Sequence, residues 1–133
     1  MSFEEKYLDV LQNIEFPVQV IYKSHPDLTD YDVLFAVEAL IELYTAEERK
    51  RKPRDFKLSG KSIEVYEGVM EMCELRLGRS ISDNIEDKDA PEPLSISEMI
   101  NCLKTIKNSI NKWTKSSGRQ GYLNFVKEFM PNV

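Results

Sequence analysis

The chain has 133 residues, 41% of them hydrophobic, 31% charged and 10% aromatic, with a formal net charge of −5, the profile of one ordinary globular domain. A chain of that size buries roughly two thirds of its unfolded surface, and no apolar run here approaches the ~18 residues of a membrane span. The acidic start Met1-Ser2-Phe3-Glu4-Glu5-Lys6 holds no signal-peptide core, and Cys73 and Cys102 are too far apart for a Cys-x-x-Cys site, so the expectation is a reduced, cytoplasmic protein.

Apolar residues recur at helical intervals between well-spaced breakers, from Pro17 to Pro131. Ser2 and Glu5 have the capping-box spacing, and Phe3, Tyr7, Val10/Leu11 and Ile14 then mark one stripe. Pro17 lacks an N–H and crowds the preceding turn, so a kinked helix or two helices meeting at Phe16-Pro17 is expected, with the stripe continuing through Val18 and Ile21/Tyr22. The β-branched run Val18 to Tyr22 also fits a strand, although no other segment offers it a partner.

Thr29 opens the next helix, with Asp30 and Asp32 in its first turn and Val33, Val37, Leu40/Ile41 and Tyr44 as its stripe. The run Arg49-Lys50-Arg51-Lys52 suits that helix's last turn before Pro53, which also accounts for its likeness to a nuclear-import signal. Ser59 or Ser62 caps a third helix with Ile63, Tyr66, Met70, Cys73 and Leu77 on one face, stopped by Gly78. Residues 79–94 are acidic and proline-punctuated, a long exposed connection. Ser95 and Glu98 repeat the capping box before Met99/Ile100, Leu103, Ile106, Ile110 and Trp113. Gly118 ends that helix, and a short last one carries Tyr122, Phe125/Val126 and Phe129. The expected fold is all-α, a single domain over 1–133 built as a bundle of four to six helices.

Charge is strongly segregated. Residues 1–45 carry nine acids against Lys6 and Lys23, a net −7, and residues 46–62 carry three acids against seven bases, a net +4. Residues 63–98 carry ten acids and three bases, again −7, while residues 99–133 have Glu128 against six bases, +5. Two basic zones therefore stand on an acidic protein: Arg49 to Lys61, and Lys104, Lys107, Lys112, Lys115 and Arg119. Each either balances acidic neighbours within the bundle or docks an acidic partner; the acidic segments disfavour nucleic acid.

His25 is the single histidine, which removes Ser-His-Asp sites, clustered zinc ligands and the paired Glu-x-x-His motifs of diiron bundles. No Gly-rich phosphate loop is present. Glu64, Glu67, Glu71 and Glu74 do follow helical spacing, and Glu38 and Glu42 form an i, i+4 pair on the preceding helix. If Glu38, Glu42, Glu67 and Glu71 converged they could hold Mg²⁺ or Mn²⁺ and through it a nucleotide phosphate, in the manner of all-α nucleotide pyrophosphohydrolases. Those enzymes pair Glu-x-x-Glu on one helix with Glu-x-x-Asp on another, and the second half is missing here. A solvated acidic face with no cofactor accounts for the same residues.

The turn from Trp113 to Tyr122 is the other candidate. Free helix N–H groups there would adjoin Lys115, Ser116, Ser117 and Arg119, with Trp113 or Tyr122 as a stacking surface, a combination that can hold an anion. A glycine C-cap and a tight turn, with Trp113 and Tyr122 filling the bundle end, account for the same residues without a ligand. The stretch Cys73-Glu74-Leu75-Arg76-Leu77-Gly78-Arg79 and the run Trp113 to Phe125 resemble a family of uncharacterised helical proteins of cyanobacteria and other bacteria. The resemblance implies a bacterial, cytoplasmic setting and a turn at 115–121, and carries over no catalytic residues. The leading functional expectation is a non-enzymatic helical interaction module that binds a protein partner or self-associates as a homo-oligomer. A Mg²⁺-dependent phosphohydrolase and an anion- or nucleotide-binding regulator are the alternatives.

Overall fold

A computed structural model of the chain describes residues 2–79 and 93–117, the last five of these by backbone alone. Four helices form it: α1 Phe3–Ser24, α2 Asp30–Glu48, α3 Gly60–Arg76 and α4 Ile96–Ser117, with no strand among the described residues. Most of the 79–94 connection, the anion-site side chains at 113–122 and the short helix expected at 122–129 lie outside what is described.

The helix starts follow the capping chemistry read from the sequence. Ser2 Oγ accepts the Glu5 N–H, and Thr29 and Asp32 satisfy each other's backbone N–H groups at 3.3 and 2.9 Å. Ser95 and Glu98 do the same at 3.0 and 3.1 Å. Ser59, not Ser62, is the N-cap of α3 and takes the Ser62 N–H at 3.3 Å.

Around the bundle the order of neighbours is α1, α3, α2, α4, so helices consecutive in the chain do not always pack together. Side-chain pairs fix the directions. Arg76 of α3 pairs with Asp9 of α1 at 2.5 Å and His25 meets Glu64 at 2.7 Å, which makes α1 and α3 antiparallel. Asp32 bonds Ser62 at 3.4 Å and Glu47 pairs with Arg79 at 2.8 Å, which makes α2 and α3 parallel. Parallel neighbours need a return crossover, and residues 49–59 supply it over the α2/α3 seam.

α1 passes through Pro17 as one helix, in place of either a break or a strand at 18–22. The reason is tertiary: the Pro17 ring is buried against Gly68 of α3, where a Cβ would come within 2.9 Å of the proline Cβ. α3 buries Ser62, Val65, Val69, Cys73 and Arg76, so its inner face is turned about one residue from the expected Ile63/Tyr66/Met70 stripe. Ile63 is left exposed, while Tyr66 and Met70 are half-buried. Apolar residues occupy more than half of this helix's circumference, and the packing of Gly68 on Pro17 decides its rotation.

α2 stops at Glu48, one turn earlier than the basic run had implied. Its end is a Schellman motif: Lys50 sits at φ 54°, its N–H bonds Glu47 O at 3.2 Å, and Arg51 N–H bonds Ala46 O at 2.9 Å. α3 ends the same way with the usual glycine, Gly78 at φ 75°. Leu94 N–H then bonds Arg76 O at 2.9 Å, so the chain returns to the end of α3 before α4 begins.

The core runs through all four helices: Val10, Leu11, Ile14 and Val18 from α1, Val37, Leu40 and Tyr44 from α2, Val65 and Val69 from α3, and Met99, Leu103, Ile106 and Ile110 from α4.

Candidate functional site

Against this packed interior, the seam between α1 and α3 opens outward as a groove of about 390 Å³ lined by Phe16, Pro17, Val20, Ile21, Gly68 and Met72. Gly68 creates the depression, since a helix that lacks a side chain at that point lets the seam sink to the Pro17 ring. Phe16 is 62% exposed and Val20 51%, an exposure shared by Tyr31 at 58% and Phe35 at 53% on α2. Glu64, Glu67 and Glu71 line the α3 side. Glu67 and Glu71 make no ion pair among the described residues, while Glu64 is met by His25. The groove is therefore an apolar trough with an acidic lip.

That arrangement separates the four glutamates considered as metal ligands. Glu67 and Glu71 stand exposed beside the groove, and Glu38 of α2 faces Lys107 of α4 at 3.6 Å. Glu42 is buried beneath the crossover. Both of its carboxylate oxygens are taken by the Arg51 guanidinium at 2.6 and 2.9 Å, and the Arg54 N–H adds a third bond at 2.8 Å. The Arg51 hydrogen bonds, with the Arg54 N–H, hold the Glu42 carboxyl down to about 2. Among the described residues no group of three or more His, Cys, Asp or Glu side chains could hold a metal ion.

Glu42 is thus a structural pin. It ties the first residues of the crossover to the middle of α2, and Phe56 and Leu58 complete the anchorage near Leu43 and Tyr66 around a smaller cavity of about 230 Å³. With its backbone pinned, the crossover displays Arg49, Lys50, Lys52 and Lys57, all exposed and without an ion pair among the described residues. Arg54 also points outward, 78% exposed, with its guanidinium 3.6 Å from Glu42. Only part of this basic zone balances acids in its own bundle: Arg51 answers Glu42 and Lys61 answers Asp27 at 2.7 Å. In the second zone Lys107 answers Glu38, and Lys104 is exposed.

A further cluster closes the far end of the α2/α3 seam. Arg79 reaches Glu47 at 2.8 Å and Glu74 at 2.8 Å, and its guanidinium lies 5.9 Å from the centre of the Tyr44 ring. Burial pushes the Tyr44 hydroxyl well above its ordinary value. Burial likewise pushes the Cys73 thiol up to about 12, so it is an inert core group.

Sequence reasoning missed the groove. Phe16 and Val20 lie off the α1 stripe, and an out-of-phase aromatic beside a proline, opposite a mid-helix glycine, was the available signal. None of the described helices is long and apolar enough to cross a membrane. No protein-family model matches this chain, and no curated protein and no solved structure matches it either.

Proposed function

We propose that the chain is a non-enzymatic docking module whose α1/α3 groove takes an amphipathic helix carrying basic residues. The observation behind the reading is the groove itself: exposed Phe16 and Val20 with half-buried Met72 form an apolar floor beside two carboxylates, Glu67 and Glu71, that nothing described neutralises. A helix laid along such a trough buries its i, i+3, i+4 and i+7 apolar side chains, and lysines or arginines on its flank meet the acidic lip. Burial supplies the affinity and the charges supply rate and orientation. The setting in this reading is a reducing bacterial cytoplasm, which suits two buried free cysteines, Cys73 and Cys102.

The hydrolase reading draws less support, because Glu42 is spent on Arg51 and lies on a different seam from Glu67 and Glu71. The anion-binding turn at 115–121 has no described side chains on which to build.

The test is fluorescence anisotropy with a labelled helical peptide of leucine and lysine, the leucines at i, i+3, i+4 and i+7. Saturable binding is expected that weakens with salt, drops at least tenfold in Phe16→Asp and Val20→Asp, and drops again in Glu67→Lys/Glu71→Lys. These positions are exposed, so the melting temperature of each variant stays near that of the parent. Absence of binding, or binding indifferent to all of these changes, removes the proposal.

A further inference from the structure

We infer that the groove's occupant is the basic crossover of a second copy of this chain, engaged head to tail. The inference rests on the docking reading above for the groove and its acidic lip, and puts an irregular basic segment, residues 49–59, in the place of the helix, its lysine and arginine stems covering the apolar floor while their charges meet the lip. Its basis is a complementarity written twice on one molecule. Glu67 and Glu71 on the groove lip lack a described counter-charge, and so do Arg49, Lys50, Lys52 and Lys57 on the crossover. The crossover is also built to be read: Glu42 pins its backbone through Arg51 and the Arg54 N–H, so the cations are presented on a fixed scaffold and little ordering is left to binding.

The two surfaces stand at the same height. α2 and α3 run parallel with Asp32 beside Ser62, which places Glu42, and the crossover residues bound to it, level with the C-terminal part of the groove at Glu71 and Met72. Phe56 and Leu58 gather at Tyr66, level with its other part at Glu64 and Glu67. They also face different ways. The groove lies on the α1/α3 side of the bundle and the crossover on the α3/α2 side, adjacent sides roughly a quarter turn apart in a four-helix bundle. Flush contact engages one side at a time, so each copy gives its crossover to one neighbour and its groove to another, a heterologous contact; a two-fold pairing over the shared α3 edge would instead stop at a dimer. The heterologous contact closes into a ring when its rotation allows and otherwise extends as a string.

Analytical ultracentrifugation across concentration and salt tests this. At low salt the mass is expected to pass beyond that of a dimer, and to return to the 15.5 kDa monomer as salt rises. Two variants then separate the surfaces. Glu67→Lys/Glu71→Lys blocks the groove and leaves the crossover, and Arg49→Ser/Lys50→Ser/Lys52→Ser/Lys57→Ser blanks the crossover and leaves the groove. Each alone is expected to be monomeric, and an equal mixture should stop at a 1:1 heterodimer, because one usable groove meets one usable crossover. A chain that stays monomeric at low salt and high concentration, or oligomers that survive both variants, overturns the inference. A monomer that still binds the leucine–lysine peptide through the groove overturns this inference alone; a monomer that binds neither overturns the docking reading with it.

Discussion

Gly68 lets two opposed effects be weighed on one atom. Replacing a mid-helix glycine by alanine normally stabilises by about 1 kcal/mol, because glycine gives up the most backbone freedom on folding. At Gly68 the added Cβ would stand 2.9 Å from the Pro17 Cβ, where carbon atoms rest at about 3.5–4.0 Å. The obstacle cannot swing aside, since a proline Cβ belongs to a ring fused to the backbone of a buried residue. Relief requires α1 and α3 to part by several tenths of an ångström along their whole contact, and overpacking of this kind costs about 1–3 kcal/mol. Taking about 2 against the gain of about 1 leaves Gly68→Ala less stable by about 1 kcal/mol. Unfolding entropy of roughly 2.1 cal/mol/K per residue converts that to a melting temperature about 3–4 °C lower.

The same helix holds its own control. Gly60, at the first turn of α3, has nothing within 4 Å of a built Cβ. There alanine brings only the reduced freedom of the unfolded chain, about 0.5 kcal/mol, and the melting temperature should rise by about 2 °C. Calorimetry on the two variants reads the sign directly. If Gly68→Ala rises as Gly60→Ala does, the close packing of Pro17 on Gly68 is refuted, and with it the account of why α1 continues through a proline.

Three further outcomes follow from named contacts. Lys50 holds a left-handed conformation at φ 54°, so Lys50→Gly should gain about 0.5–1 kcal/mol and raise the melting temperature by about 2–4 °C, whereas at Gly78 any side chain would also meet Pro93 and the change has the opposite sign. Glu42 titrates at about 2 in the fold against an ordinary 4.5, so its stabilisation is complete above pH 4.5 and is lost as pH falls toward 2; the gap in urea midpoint between the parent and Glu42→Gln should therefore close over that interval, and a gap independent of pH would refute the pin. Asp9→Ala strands the buried Arg76 and should cost about 2 kcal/mol, less than for a fully enclosed pair because Asp9 is one third exposed, while Asp9→Ala/Arg76→Met should recover most of the loss in a denaturant titration.

What the sequence made legible was local. The caps at Ser2, Thr29 and Ser95 and the stop at Gly78 depend on a few neighbouring atoms, and all were readable from residue type and spacing. The stripe of α4 was equally clear because its polar and apolar residues separate cleanly around the helix. α3 was not, since Ile63, Val65, Tyr66, Val69, Met70 and Met72 cover so much of its surface that rotation had to be settled by a partner, Pro17. Glu42 failed for a related reason. Its i, i+4 relation to Glu38 suggested a shared site, but its fate was set by a crossover whose path follows from α2 and α3 being parallel, a global property.

The same distinction bears on the interaction surfaces. Segregation of charge along the chain, −7, +4, −7 and +5, leaves open whether the bundle neutralises it internally, because helices of opposite charge can be packed together. Folding resolves this unevenly. Arg51, Lys61 and Lys107 find acids in their own molecule, whereas among the described residues Lys52 and Lys57 on one seam meet no acid and Glu67 and Glu71 on the next meet no base. An exposed lysine or glutamate alone means nothing, since most are simply hydrated. The glutamates acquire meaning from what stands beside them: Phe16 and Val20, which water does not welcome, in a hollow that Gly68 keeps open. The lysines acquire it from Glu42, whose burial fixes the loop that carries them. The groove thus pairs charges unmatched among the described residues with exposed apolar area, which has a cost in the isolated chain, while the crossover pairs such charges with a backbone that Glu42 holds in place. Losses of that kind are recovered when a complementary surface covers the groove, and in the proposed head-to-tail contact that surface is the crossover of the next copy.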